Sequence, residues 1–311
     1  MKNFASLLLT SIILLLTSLL TNAQNTNSNH AKEVKAKKII VAYQDYPEDA
    51  DDEKKALVDS TNKALEFAMK NFWDFNEIHD FMTLDDAKAY IEANDGFCYI
   101  TIDIGESKST TRNNTPGSIG PTYKWVSYAE KLSVYTPKPI SNAWLPRYEG
   151  PMSNATAAFA VQQMNILFTN LYEEKFSSLM KSRGYVKSIG HKVAEKTLYI
   201  PKAYLNPKLT RAEILKAYPY DLEFVELSEV EDAILEKNTE VAVAYYIIAA
   251  MGGKHFHRVY ISDAATGEVY GALDGPALSL ELGLFGDVGG NSGKKFLINK
   301  KELEQLNNIV K

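Results

Sequence analysis

A single cysteine, Cys98, is all that the chain contains. No disulfide can therefore form within it, and any stability has to come from a packed core. An excess of one charge is also missing: 34 Lys and Arg stand against 39 Asp and Glu, a net charge of -5. That balance leaves no basic patch of the kind that holds nucleic-acid phosphates, so no nucleic-acid partner is expected. Histidines number only five. The sequence also lacks the short signatures of common chemistry. The Gly-rich stretch GLFGDVGGNSGKK (283–295) fails as a phosphate loop, because Val288 stands where its first glycine belongs and Lys295 where Ser or Thr belongs. The Ser of GGNSGK is too close to the next glycine for a nucleophile elbow. The acidic group Asp49, Asp51, Asp52 and Glu53 lacks the glycine and closing glutamate of an EF-hand, and reads as a helix start. No cofactor is expected, and no motif specifies a reaction.

The longest apolar run lies at the N-terminus. Lys2 precedes the apolar residues 7–20, and Thr21-Asn22-Ala23 offers small residues for cleavage. This is the pattern of a secretory signal peptide over 1–23, with Gln24 opening the mature chain. The run is shorter than the roughly 20 residues of a membrane span. The expected address is exported, periplasmic or secreted, with no membrane span after cleavage. Residues 24–37 are polar and read as a disordered lead.

The rest reads as an α/β (or α+β) protein of two similar βαβαβ-type halves with mixed sheets and helices packed on them. The halves cover 38–150 and 151–278, followed by a Gly-rich tail with a short strand and helix over 279–311. The second half is the clearer. YDLEFVEL (220–227) has strand composition, and SEVEDAILEKN (228–238) is helical, with Ser228 and Glu231 at capping-box spacing. EVAVAYYIIAA (240–250) is an apolar strand needing cover on both faces. HFHRVYISD and GEVYGAL flank the hairpin loop 264–267, where Gly267 supplies a positive φ. The first half repeats the order with DFNEIHDF (74–81), TLDDAKAYIEAN (83–94) capped by Thr83, and GFCYITIDI (96–104). Aligning residues 85–87 with 231–233 puts the two capping residues one position apart. The long helices, 53–72 and 153–183, break the repeat, because one follows its first strand and the other precedes it. Residues 105–122 read as a long polar loop, and the Pro-rich 137–151 as the boundary between halves.

Two groups of residues are candidate sites. Trp125, Tyr128, Trp144 and Tyr148 crowd the middle segment with other aromatics. Exposed rings of this kind stack on sugars or anchor a protein partner. His255 and His257 stand two apart on a strand, so they share a face and could meet one metal ion, although Lys254 and Arg258 flank them. The functional expectation is a non-catalytic binding or interaction module of the cell envelope, with a protein or glycan partner. The alternatives are a hydrolase-type enzyme with its site between the halves, and a periplasmic small-ligand binding protein.

Overall fold

A computed structural model describes residues 26–115, 118–146, 151–251, 254–274 and 297–311, with the side chains of 105–128, 248–257 and 274 excepted. The segment 1–23 expected to be a signal peptide, Tyr148 and most of the Gly-rich tail lie outside the described residues.

The first half runs α1 (Ser28–Lys35), β1 (Lys38–Tyr43), α2 (Asp52–Phe72), β2 (Ile78–Thr83), α3 (Leu84–Ala93), β3 (Phe97–Thr115), β4 (Ser118–Thr136), β5 (Lys138–Trp144) and α4 (Asn154–Tyr172). The second runs α5 (Ser182–Ile189), a 3-10 segment (Gly190–Glu195), β6 (Thr197–Pro201), α6 (Arg211–Ala217), β7 (Leu222–Val225), α7 (Leu227–Leu235), β8 (Val241–Met251), β9 (Lys254–Asp263), β10 (Val269–Asp274) and α8 (Lys300–Val310). The two five-stranded sheets have orders β2-β1-β3-β4-β5 and β10-β9-β8-β6-β7. Read from the other side, the second order is the first with each strand advanced by five. The pairings agree as well. β1 is parallel to β2 and β3, and β6 to β7 and β8, while the last three strands of each sheet are antiparallel.

The repeat is therefore real at the level of topology, and its register can be read directly. Lys38 pairs with Phe97 and Thr197 with Val241, so Phe97 and Val241 are equivalent positions on equivalent central strands. The capping residues now coincide. Thr83 caps α3 by accepting from the Asp86 amide, and α7 starts from Glu226, whose amide donates to Glu229 Oε2 at 2.8 Å. Ser228 is not the cap, because β7 ends at Val225 and Glu226 is the extended residue that opens the helix. Ala87 and Ile91 then match Val230 and Ile234, all buried.

The mismatch of the long helices also resolves. α2 corresponds to the short α6, since each joins the first and second strand of its half. α4 corresponds to α8, since each follows the last strand of its half and packs on the intervening helix, α4 on α2 and α8 on α6. The expected single helix over 153–183 stops at Tyr172, where Glu174 takes φ 59, and the chain turns before α5. Residues 28–35 of the expected disordered lead are helical instead. Ala31 and Val34, three apart on an otherwise polar segment, are buried in the main core, and Thr26 Oγ1 donates to the Ile140 carbonyl at 3.1 Å.

Two further expectations change. The supposed loop 105–122 continues β3 and β4 as a ladder that runs to Thr115 opposite Ser118. Its Ser, Thr and Lys residues look like a loop by polarity, yet the antiparallel register begun at Tyr99–Tyr135 carries unbroken to Arg112–Thr122 and resumes at Asn114–Ile119 after one irregularity. The Pro-rich stretch supplies β5 at the sheet edge, the position where Pro139 costs no inner ladder bond.

The halves stack in one sense. The face of the first sheet bearing Cys98, Ile100, Ile102, Leu132 and Val134 is covered by α2 and α4. The same core takes in α7 and the face of β8 bearing Val243, Tyr245 and Ile247. A clasp holds α4 to the β9–β10 turn. Gln162 Nε2 donates to the carbonyls of Ala264 at 3.1 Å and Ala265 at 3.0 Å, and Gln163 Nε2 donates to the Gly267 carbonyl. Gly267 has φ +75, and a Cβ there would lie 2.6 Å from Gln162 Cβ, so the approach requires glycine. The second sheet's other face packs with α6, α8 and the 3-10 segment in a separate core. Among the described residues no helix is long and apolar enough to cross a membrane.

Cys98 sits in the covered face of β3 at 0% exposure, and burial pushes its thiol up to about 12. Thiol reagents are therefore expected to label it only as the protein unfolds. Stoichiometric labelling of the native protein, as fast as in denaturant, would contradict this placement.

Candidate functional site

The equivalence of the two sheets identifies the face that differs. In the second sheet, the face carrying Val243, Tyr245 and Ile247 is buried against the first half. The matching positions in the first sheet are Tyr99, Thr101 and Asp103, on the face that α3 partly covers. The apolar cluster on this face takes helical residues from α3 alone: Ala87 and Ile91 buried, with Leu84 and Tyr90 beside them.

Residues directly opposite one another in an antiparallel ladder share a face. The register therefore lays down three rows across β3, β4 and β5: Tyr99 with Tyr135, Thr101 with Ser133 and Asn142, and Asp103 with Lys131 and Trp144. The floor is the middle row, where Thr101 and Ser133 are each 1% exposed beneath longer neighbours. One wall is a stacked ring pair, with the Tyr99 and Tyr135 centroids 4.7 Å apart and the rings inclined by 12°. The other wall is the Asp103–Lys131 ion pair; Trp144 follows in the same row by register, and its half-buried ring packs against the main core.

Asp103 links the walls. Its Oδ2 accepts from the Tyr135 hydroxyl at 2.6 Å, and its Oδ1 faces Lys131 Nζ at 3.5 Å. Burial pushes the Tyr99 phenol up to about 12, with the Asp103 charge adding to it. Burial first, and then the bond to Asp103, hold the Tyr135 phenol above its ordinary range. Both phenols stay protonated near neutral pH, and that of Tyr135 is the donor to Asp103. Asp103 Oδ1 is enclosed and makes no hydrogen bond. The Ser133 hydroxyl lies beside the Tyr135 phenol without a hydrogen bond of acceptable geometry. Asp103 Oδ1 is balanced by the Lys131 charge rather than by a hydrogen bond, and the Ser133 hydroxyl is closed off beneath its neighbours.

Trp144 stands in the Asp103–Lys131 row by register, and its ring packs against the main core. Trp125 stands opposite Ser109 and Tyr128 opposite Glu106, further along the β3–β4 ladder. Six residues of strand separate Trp125 from Lys131, the partner of Trp144, which is about 20 Å. Tyr148 lies outside the described residues. His255 and His257 are on β9 opposite Ala250 and Ile248, with their side chains outside the described residues. Sequence reasoning missed Tyr99, Asp103, Lys131 and Ser133. Their signal is the alternation of apolar with polar or aromatic residues along 97–104 and 130–136, which a near-continuous apolar reading of the strand concealed.

The seam between the halves holds a second polar group. Ser153 caps α4 through the Thr156 amide at 3.1 Å and donates to Glu231 Oε1 at 2.9 Å, and the Tyr245 hydroxyl reaches the same oxygen at 3.3 Å. These bonds tie α4, α7 and β8 together and are spent on one another.

No protein-family description, no curated protein and no solved structure matches this chain.

Proposed function

We propose that this protein is an exported, non-catalytic binding module that holds a hydroxyl-rich ligand, a glycan of the cell envelope, on the outer face of its first sheet. The observation that carries the reading is the partly exposed Asp103 carboxylate, held between the Tyr135 hydroxyl at 2.6 Å and Lys131 Nζ at 3.5 Å on the face that carries the stacked Tyr99 and Tyr135 rings. Sugars present alternating hydroxyl and C–H surfaces, which suit a fixed carboxylate acceptor beside an aromatic wall. Asp103 is held in place by Tyr135 and Lys131, so little ordering is left to be done on binding. Export is supported by the N-terminal pattern of Lys2, the apolar run and Ala23.

Titration calorimetry with a panel of neutral and acidic oligosaccharides tests this. A binding glycan is expected, and Asp103→Asn should weaken it by about tenfold, or about 1.4 kcal/mol, while the thermal midpoint moves little. A panel without a single binder, or an Asp103→Asn variant of unchanged affinity, would overturn the proposal.

A further inference from the structure

The three rows that the register lays across β3, β4 and β5 contain two charged residues, Asp103 and Lys131, of opposite sign. Each is mostly buried, with 24% of the Asp103 side chain and 20% of the Lys131 side chain exposed, and they face one another at 3.5 Å. The groups beside them are neutral. The Tyr99 and Tyr135 phenols keep their protons, and Thr101 and Ser133 carry no charge. The pair therefore gives this part of the sheet a fixed dipole and no net charge.

The same balance continues outward along the β3–β4 ladder. Successive residues of a strand alternate between its two faces. The positions in step with Asp103 are Gly105 and Ser107, and those in step with Lys131 are Ala129 and Ser127. All four are uncharged. The charged positions Glu106, Lys108, Arg112, Lys124 and Glu130 fall in the other step.

We propose that the ligand of this face is an uncharged glycan, and that the Asp103–Lys131 pair excludes acidic and amino sugars. This rests on the glycan reading above and narrows it. A sugar hydroxyl is donor and acceptor at once, so it can donate to the carboxylate and accept from the ammonium while the two still face one another. A uronate carboxylate would have to draw Lys131 away or lie beside Asp103. The first leaves a mostly buried carboxylate without its counter-charge, and the second sets two like charges together. An amino sugar meets the converse difficulty, drawing Asp103 away from Lys131 or lying beside the ammonium. Discrimination here comes from the charge that a wrong ligand leaves unpaired, as well as from the contacts that a right one makes. Lys131 is then the residue that sets the preference, because it cancels the Asp103 charge.

Titration calorimetry on the purified protein tests this, with tetrasaccharides of glucose, mannose and galactose, each in neutral, uronate and 2-amino forms. In the series that binds, the neutral form is expected to be tighter than either charged form by roughly tenfold or more. Its affinity should change by about twofold at most between low and high salt, since no net charge is neutralised on binding. Lys131→Met leaves Asp103 without a counter-charge, and the 2-amino form should then bind roughly tenfold more tightly than the neutral one. Circular dichroism and the thermal midpoint check that this variant is folded, and the wild-type ranking is decisive by itself. A uronate or 2-amino form that binds the wild type as well as its neutral counterpart would overturn the inference and leave the glycan reading standing. A folded Lys131→Met protein that keeps the wild-type ranking would do the same. If no form of any series binds, the glycan reading itself fails, and this inference with it.

Discussion

Asp263→Ala is expected to destabilise the protein by about 3–5 kcal/mol, the cost of leaving one partner of a buried ion pair uncompensated. The carboxylate sits at the end of β9 with its side chain 8% exposed, and Lys196, 16% exposed, meets its Oδ2 at 2.9 Å. The Tyr270 hydroxyl donates to the same oxygen at 2.7 Å. The Ala265 and Thr266 amides each donate to Oδ1 at 2.9 Å, which shapes the turn that clasps α4. One residue thus organises the hairpin, the lysine before β6 and, through the turn, the contact between halves. Burial by itself would raise the carboxyl's pKa, but Lys196, Tyr270 and the Thr266 amide outweigh it and hold it below the usual aspartate value. The sign follows. A pKa depressed in the folded state adds stability above the unfolded value of about 4, and the contribution is lost as pH falls through the folded value. Denaturant titrations of wild type and variant should therefore differ most near pH 7 and converge in acid. A gap that is constant with pH would show that the charge is not what stabilises the turn. Asp263→Asn, which can still accept from the turn amides, should cost less than the alanine variant.

Phe168→Ala should cost a similar amount, about 3–5 kcal/mol, by removing a large side chain from a site that cannot collapse. Phe168 is fully buried on α4, stacks on Phe75 at 5.3 Å, and meets Trp73 edge-on at 6.3 Å. The segment carrying those two rings is pinned one turn earlier on α4. Asn165 Oδ1 accepts from the Asp74 and Phe75 amides at 3.1 and 3.0 Å, and its Nδ2 donates to Asp74 Oδ1 at 2.7 Å. The surrounding backbone is therefore held while the ring is lost, and the cavity persists. A drop in the thermal midpoint of roughly 10 °C is expected at this chain length. Phe168→Leu, which refills much of the volume, should recover a good part of it. A shift of only a degree or two for alanine would mean that α4 packs on this segment far more loosely than the ring contacts imply.

The duplicated topology has a consequence for the proposed site. Each half presents the same kind of sheet face beside its second crossover helix, α3 or α7. In the second half that face is consumed by the stacking of the halves, and Val243, Tyr245 and Ile247 are correspondingly large and apolar. In the first half it points away from the junction, and Asp103 stands where Ile247 stands in the copy. A polar outer face also guards against further head-to-tail stacking, which an apolar copy of the same face would invite.

What the residues determine by themselves is the local structure and its repetition. Thr83, Thr210 and Ser153 begin helices because their oxygens meet free amides three residues on. Gly267 marks the hairpin turn because its φ is positive, and the alternation of strand and helix yields the α/β class. These are effects of a few neighbouring residues, so periodicity and capping express them. The tertiary structure decided which helices correspond, which sheet face is buried, and where polar residues are strand. The short α6 and the long α2 share a place because topology, not length, defines it. The 105–122 stretch becomes a ribbon because a ladder started by apolar pairs propagates through backbone hydrogen bonds that no side chain announces. Asp103, Lys131 and Tyr135 meet because register between β3 and β4 brings them together on one face. Register depends on pairing between residues distant in the chain, and a single sequence does not carry that information locally.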